Sequence, residues 1–226
     1  MPFRETLLNL SITAVLVLIV VLAGILLKES RPGPVAAIPV HVADVSTEAG
    51  NAREVKAQFE IFPRPELVES RANEADTLRI RIKGEEQIFV LYFVDALEAS
   101  MNHPQRVAEQ GRYFGNASDK AITDSGAEAA AYVTDLLKTH PFHVLTRWEK
   151  IANSDRYYAL IIVETTAGKH EYLANLLMKK GFARVYGVDT ELPAGTQDIP
   201  SYMVELQSLA RAAREQKAGI WSKVSP

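Results

Sequence analysis

The chain is 226 residues long, with 28 acidic and 25 basic side chains, a formal net charge of -3, 47% hydrophobic residues and no cysteine. That balance excludes intrinsic disorder, a disulfide scaffold and a polycation held to nucleic acid by overall attraction, so a nucleic-acid contact needs a local cluster of arginines and lysines. The length suits one domain of ordinary size plus an appendage.

The appendage comes first. After a tail at residues 1–6, residues 7–27 carry no charge. At about 1.5 Å of rise per residue, a helix over them reaches roughly 30 Å, the hydrocarbon thickness of a bilayer. The expectation is an uncleaved transmembrane anchor, because the nearest small-residue cleavage site, Val35-Ala36-Ala37, lies well past the apolar end. Arg4 and Glu5 against Lys28, Glu29 and Arg31 leave the flanking charges nearly balanced. With so short an N-terminal tail, the expected protein is single-pass with its C-terminal domain extracytoplasmic. Residues 28–51 hold three prolines and little amphipathic period, as a linker does, and residues 52–226 are left for the domain.

The domain opens on short alternating segments at 67–72, 77–82 and 87–94. In the second, Leu78, Ile80 and Ile82 face a core while Arg79 and Arg81 face water, and a hairpin turned at Gly84 joins it to the third. The third is almost continuously apolar, as in a strand covered on both faces. Residues 103–115 are read as an inserted helix. Residues 126–139 follow as a helix stopped by Pro141, then strands at 143–148 and 157–165, a helix at 171–180 ended by Gly181, and a last helix at 203–218 ended by Gly219. In that last helix Val204, Leu206, Leu209 and Ala213 form the expected core stripe.

Several corners carry acidic and cationic groups in order. They are Asp76-Thr77 opening the second strand, Val94-Asp95-Ala96-Leu97-Glu98 closing the third and Arg156-Tyr157-Tyr158-Ala159 opening the fifth. Gly126-Ala127-Glu128-Ala129, Leu176-Leu177 with Gly181-Phe182-Ala183, and Ala218-Gly219-Ile220-Trp221 complete the set. With this element order, residues 67–221 resemble the staphylococcal nuclease (thermonuclease) family. The resemblance implies an α+β domain: a five-stranded OB-fold β-barrel with three or four helices. It also implies metal-assisted phosphodiester hydrolysis, with Ca2+ held by Asp76, Asp95 and the Ala96 carbonyl, Glu98 as general base and Arg156 as a phosphate clamp. A hard cation suits clustered carboxylates and carbonyls, and a guanidinium fork suits phosphate oxygens.

The departures matter equally. Val90 stands where the family has its other phosphate arginine, and loss of such a donor costs on the order of a hundredfold to a hundred-thousandfold in rate. Glu74, Ala75, Leu97 and Asp155 also replace family residues. Arg106 or Arg112, from the inserted helix, is the expected source of a compensating charge. Plainer roles stand beside these: Asp76 as a turn residue, Asp95 and Glu98 as a helix start, and Arg156 as a surface partner of Asp155. The expected function is therefore weak, calcium-dependent hydrolysis of nucleic acid at a membrane. The alternative is a catalytically silent OB module that binds protein or single-stranded nucleic acid.

Overall fold

The computed structural model describes residues 58–224; the tail, the apolar run 7–27 and the linker 28–51 lie outside the described residues. Among the described residues nine strands and four α-helices follow one another, confirming the α+β class. They are β1 (Glu60–Pro63), β2 (Glu66–Leu67), β3 (Thr77–Ile82), β4 (Glu85–Leu91), β5 (Val94–Ala96), α1 (Pro104–Tyr113), α2 (Asp119–Thr139), β6 (Phe142–Lys150), β7 (Arg156–Thr166), β8 (Lys169–Tyr172), α3 (Leu173–Lys179), β9 (Ala183–Val185) and α4 (Ile199–Glu215), with a closing 3-10 turn at Gly219–Ser222. Among the described residues no helix is long and apolar enough to cross a membrane.

Six strands lie in the order β1-β6-β7-β4-β3-β2, with β8 also paired to β7, while β5 and β9 form a separate two-stranded ladder. The strands β4 and β7 run parallel, with Ile88 opposite Arg156 and Val90 opposite Tyr158. Although β1 and β3 stand far apart in that order, Lys83 at the end of β3 donates to Glu60 at 2.9 Å and sits 5.1 Å from the centre of the Phe62 ring. The sheet therefore curls back on itself, as an OB barrel does.

The expected five strands become nine for local reasons. Of residues 67–72 only Leu67 lies in a strand, at the end of β2, because Asn73 replaces the ladder: its amide donates to the Val68 carbonyl and its oxygen accepts from the Arg79 backbone. The expected strand 87–94 breaks at Tyr92-Phe93. Phe93 has φ 72°, which turns the chain out of the large sheet and into β5. The hairpin between β3 and β4 uses Lys83 and Gly84, both at positive φ, the geometry whose twist matches paired strands.

The helices are anchored by two apolar clusters. The larger fills the curl of the sheet with Leu78, Ile80, Phe89, Val144 and Ile161 and takes in α2, α3 and the middle of α4. The smaller joins Leu97, Val107, Phe114, Ile122, Ala213, Ile220 and Trp221. This second cluster fastens the inserted helix α1 to α2 and to the end of α4. In α4 the expected stripe holds at Leu206 and Ala213, but Val204 is 65% exposed, because a two-residue step from Leu206 is a turn of roughly 200° about the helix axis.

Candidate functional site

The break at Phe93 aims the chain so that Asp95 pairs directly with Arg184 across β5 and β9. Arg184 is itself buried, and its Nε donates to Asp95 Oδ2 at 2.6 Å. Helix α1 approaches from the other side. Val107, Gln110 and Gly111 are its buried residues, so the face carrying Arg106 and Gln110, one turn apart, turns toward the loop after β5. Arg106 bridges two acids, with its guanidinium Nη2 donating to Asp95 Oδ1 and its Nε ion-paired with Glu98 Oε1 at 2.6 Å.

Gln110 is a positioning residue between them. Its amide donates to Asp95 Oδ2 at 3.1 Å and to the Ala96 carbonyl at 2.7 Å, while its oxygen accepts from the Glu98 backbone at 2.9 Å. Helix α2 closes the floor. At Gly126 a Cβ would meet the Glu98 carbonyl at 2.2 Å and the Leu97 carbonyl at 2.6 Å, so only glycine lets the helix lie against this loop.

Asp76, at the entry to β3, is 5% exposed and accepts from the Ala96 backbone at 2.7 Å and from the Thr77 hydroxyl at 3.0 Å. Burial pushes its pKa up to about 6, with Asp95 and Glu74 adding to the effect. Glu98 is 3% exposed, and its second oxygen is buried without a hydrogen-bond partner among the described residues. Burial raises the Glu98 pKa, against the pull of Arg106 and His103. Glu74 also titrates high, from burial first and the Glu98 charge second, while Arg106, His103 and Arg156 pull it down.

The structure therefore brings Asp76, Asp95, Ala96, Glu98 and Arg106 to one place. Arg156 opens β7 on the exposed side, close enough for its charge to act on Glu74, and it makes no ion pair among the described residues; Asp155 pairs instead with Lys150. Arg112 is exposed near the end of α1 and its side chain makes no hydrogen bond or ion pair among the described residues, so of the two expected compensating arginines only Arg106 reaches the acids. Val90 pairs with Thr77 and Tyr158 and offers no side-chain donor beside Asp76.

The sequence reading missed Arg184, Gln110 and Glu74 as site residues. Gln110 had a signal, its one-turn spacing from Arg106. Arg184 had none, since it lies 89 residues from Asp95. Two half-exposed tyrosines were also missed. Tyr186 and Tyr113 sit with ring centres 4.6 Å and 5.9 Å from the Arg184 guanidinium and are 59% and 45% exposed.

The model of the staphylococcal nuclease homologue family matches residues 89–223, more than half of the chain. The chain belongs to that family. Its match takes in β5, α1, Arg156 and Arg184 and begins after Asp76. No curated protein matches the chain. Family membership makes nuclease-type or nucleic-acid-binding chemistry the frame for the site.

Calcium, the cation associated with this family, does not fit the donors as they stand. Asp95 has both oxygens taken by N–H donors, the Ala96 carbonyl accepts from Gln110, and Asp76 is engaged by Ala96 and Thr77. One orphaned Glu98 oxygen remains, whereas calcium takes six to eight oxygens. Among the described residues no group of three His, Cys, Asp or Glu side chains could hold a metal ion.

Proposed function

We propose that this member of the nuclease family binds single-stranded nucleic acid without hydrolysing it, tethered to a membrane by residues 7–27. The observation that carries the reading is Glu98. A general base must reach a water beside the scissile phosphate, yet this carboxylate is 3% exposed and ion-paired with Arg106. Val90 leaves a transition-state donor missing as well. The rim retains what binding needs. Tyr113 and Tyr186 offer exposed ring faces for stacking, and Arg156 offers an unpaired guanidinium for phosphate. The tether rests on the uncharged run at 7–27.

The test uses full-length protein, expected in the membrane fraction and resistant to alkaline extraction, mixed with a labelled single-stranded oligonucleotide. Anisotropy should report salt-sensitive binding that Tyr186→Ala and Arg156→Ala each weaken by about tenfold, with the oligonucleotide intact in calcium. Cleavage that depends on calcium and disappears in Glu98→Gln would restore the hydrolytic reading. Absence of binding would point to a protein partner.

A further inference from the structure

The acid cluster holds Asp76, Asp95 and Glu98 within one buried network, with Glu74 close enough for its titration to feel Glu98. Buried carboxylates this close require a positive charge, since each would otherwise repel its neighbours in a medium that screens poorly. Two cations supply it from opposite sides. Arg184 is built into the β5–β9 ladder and is 9% exposed at its side chain, whereas Arg106 comes from the inserted helix and is 48% exposed.

Arg106 spans the two buried acids, Asp95 and Glu98, in the manner of a bridging cation, whereas Arg184 reaches Asp95 and, at 3.9 Å, the exposed Glu109. Helix α1 cannot easily withdraw it. Val107 on the same helix and Phe114 at its C-terminal cap are buried in the small apolar cluster, and Gln110 ties the next turn to Asp95, Ala96 and Glu98.

We infer that Arg106 is a resident cation, occupying the place between Asp95 and Glu98 that a divalent metal would otherwise take, and that removing its charge opens this acid cluster to calcium. The inference deepens the reading of a non-hydrolytic site and rests on it, but it makes no reference to nucleic acid. A guanidinium neutralises the acids with a planar, fixed set of N–H donors. It offers no water-activating centre and no open coordination position, so an acid cluster inherited with a nuclease fold is held as structure.

The experiment is a calcium titration followed by calorimetry and by thermal unfolding, on the full-length chain and its Arg106→Ala and Arg106→Lys variants. Wild type should show no saturable calcium binding through the millimolar range, and its unfolding temperature should not change with calcium. Arg106→Ala should melt lower without metal, bind one calcium at least tenfold more tightly than wild type, and regain stability when calcium is added. Arg106→Lys keeps the charge and should stay as unresponsive as wild type. If Arg106→Ala is unfolded without metal, calcium should refold it.

Saturable binding of calcium by wild type overturns the inference. So does an Arg106→Ala protein, folded or not, that ignores calcium, or an Arg106→Lys protein that binds it as the alanine variant does. Oligonucleotide is absent throughout, so failure here and failure of the nucleic-acid reading are separate results.

Discussion

Two carboxylate–guanidinium networks in this domain use the same chemistry in opposite settings. On the outer face of β2, β3 and β4, Arg81 bonds Glu66 at 2.8 Å and Glu86 at 2.7 Å, with 37% of the arginine and 68% and 40% of the acids exposed. Around β5, Asp95 bonds Arg184, Arg106 and Gln110 while only 5% exposed. In water the ions of the first network lose little when separated, because solvent replaces the partner. The second has no solvent to fall back on, so each partner removed leaves a charge stranded in low dielectric. Similar bond lengths thus conceal very different energies, and only the buried network constrains what the site can do.

That contrast can be broken by substitution. The largest effect is expected at Arg184. Arg184→Met keeps the bulk but leaves Asp95 Oδ2 with Gln110 alone, and urea unfolding should show a loss of about 3–5 kcal/mol. A loss under about 1 kcal/mol would place this pair with the surface network and undo the comparison.

A middle effect, of opposite sign, is expected at Asp76. Its folded pKa of about 6 lies above the ordinary 3.8. The fold therefore favours the protonated acid, and the stability this brings is complete below the unfolded value and lost as pH rises through about 6. Asp76→Asn keeps an oxygen for the Ala96 backbone and never ionises. Unfolding curves across this range should show a variant more stable than wild type near neutrality by on the order of 1–3 kcal/mol and matched with it in acid. A variant less stable at neutral pH would mean that the charged form of Asp76 is the one the cluster needs.

The smallest effect belongs to the exposed network. Arg81→Ala should cost less than about 1 kcal/mol, and the cost should shrink further in high salt. A larger, salt-independent loss would show that the outer face is screened from water more than its exposure indicates.

Much of this domain was legible in advance, and the limits have physical causes. The strand Thr77–Ile82 was read to its residue bounds because strict alternation of Leu78, Ile80 and Ile82 with charged residues reports which face is buried. The inserted helix was legible from its place after Glu98, and Arg106 was one of two candidates on it. The choice between Arg106 and Arg112 was not legible, because it depends on how the helix is rotated, and Val107 and Phe114 set that rotation by packing against Leu97, Ile122 and Trp221 from three other segments. The strands β1, β8 and β9 escaped notice since each has four residues or fewer, too short for a period to show.

By itself the amino-acid sequence determined the α+β class, the family resemblance, the missing donor at Val90 and the acids that belong together, because these reside in local periodicity and in the order of motifs. Tertiary structure alone decided that Asp95 faces Arg184, that Arg106 bridges Asp95 to Glu98, and that Glu98 is shut away from water. Those facts depend on one left-handed residue at Phe93 and one close helix approach at Gly126, each of which moves side chains from remote parts of the chain into contact. Proximity between residues distant in sequence is a property of packing, and the energy of a charge depends on what packs around it.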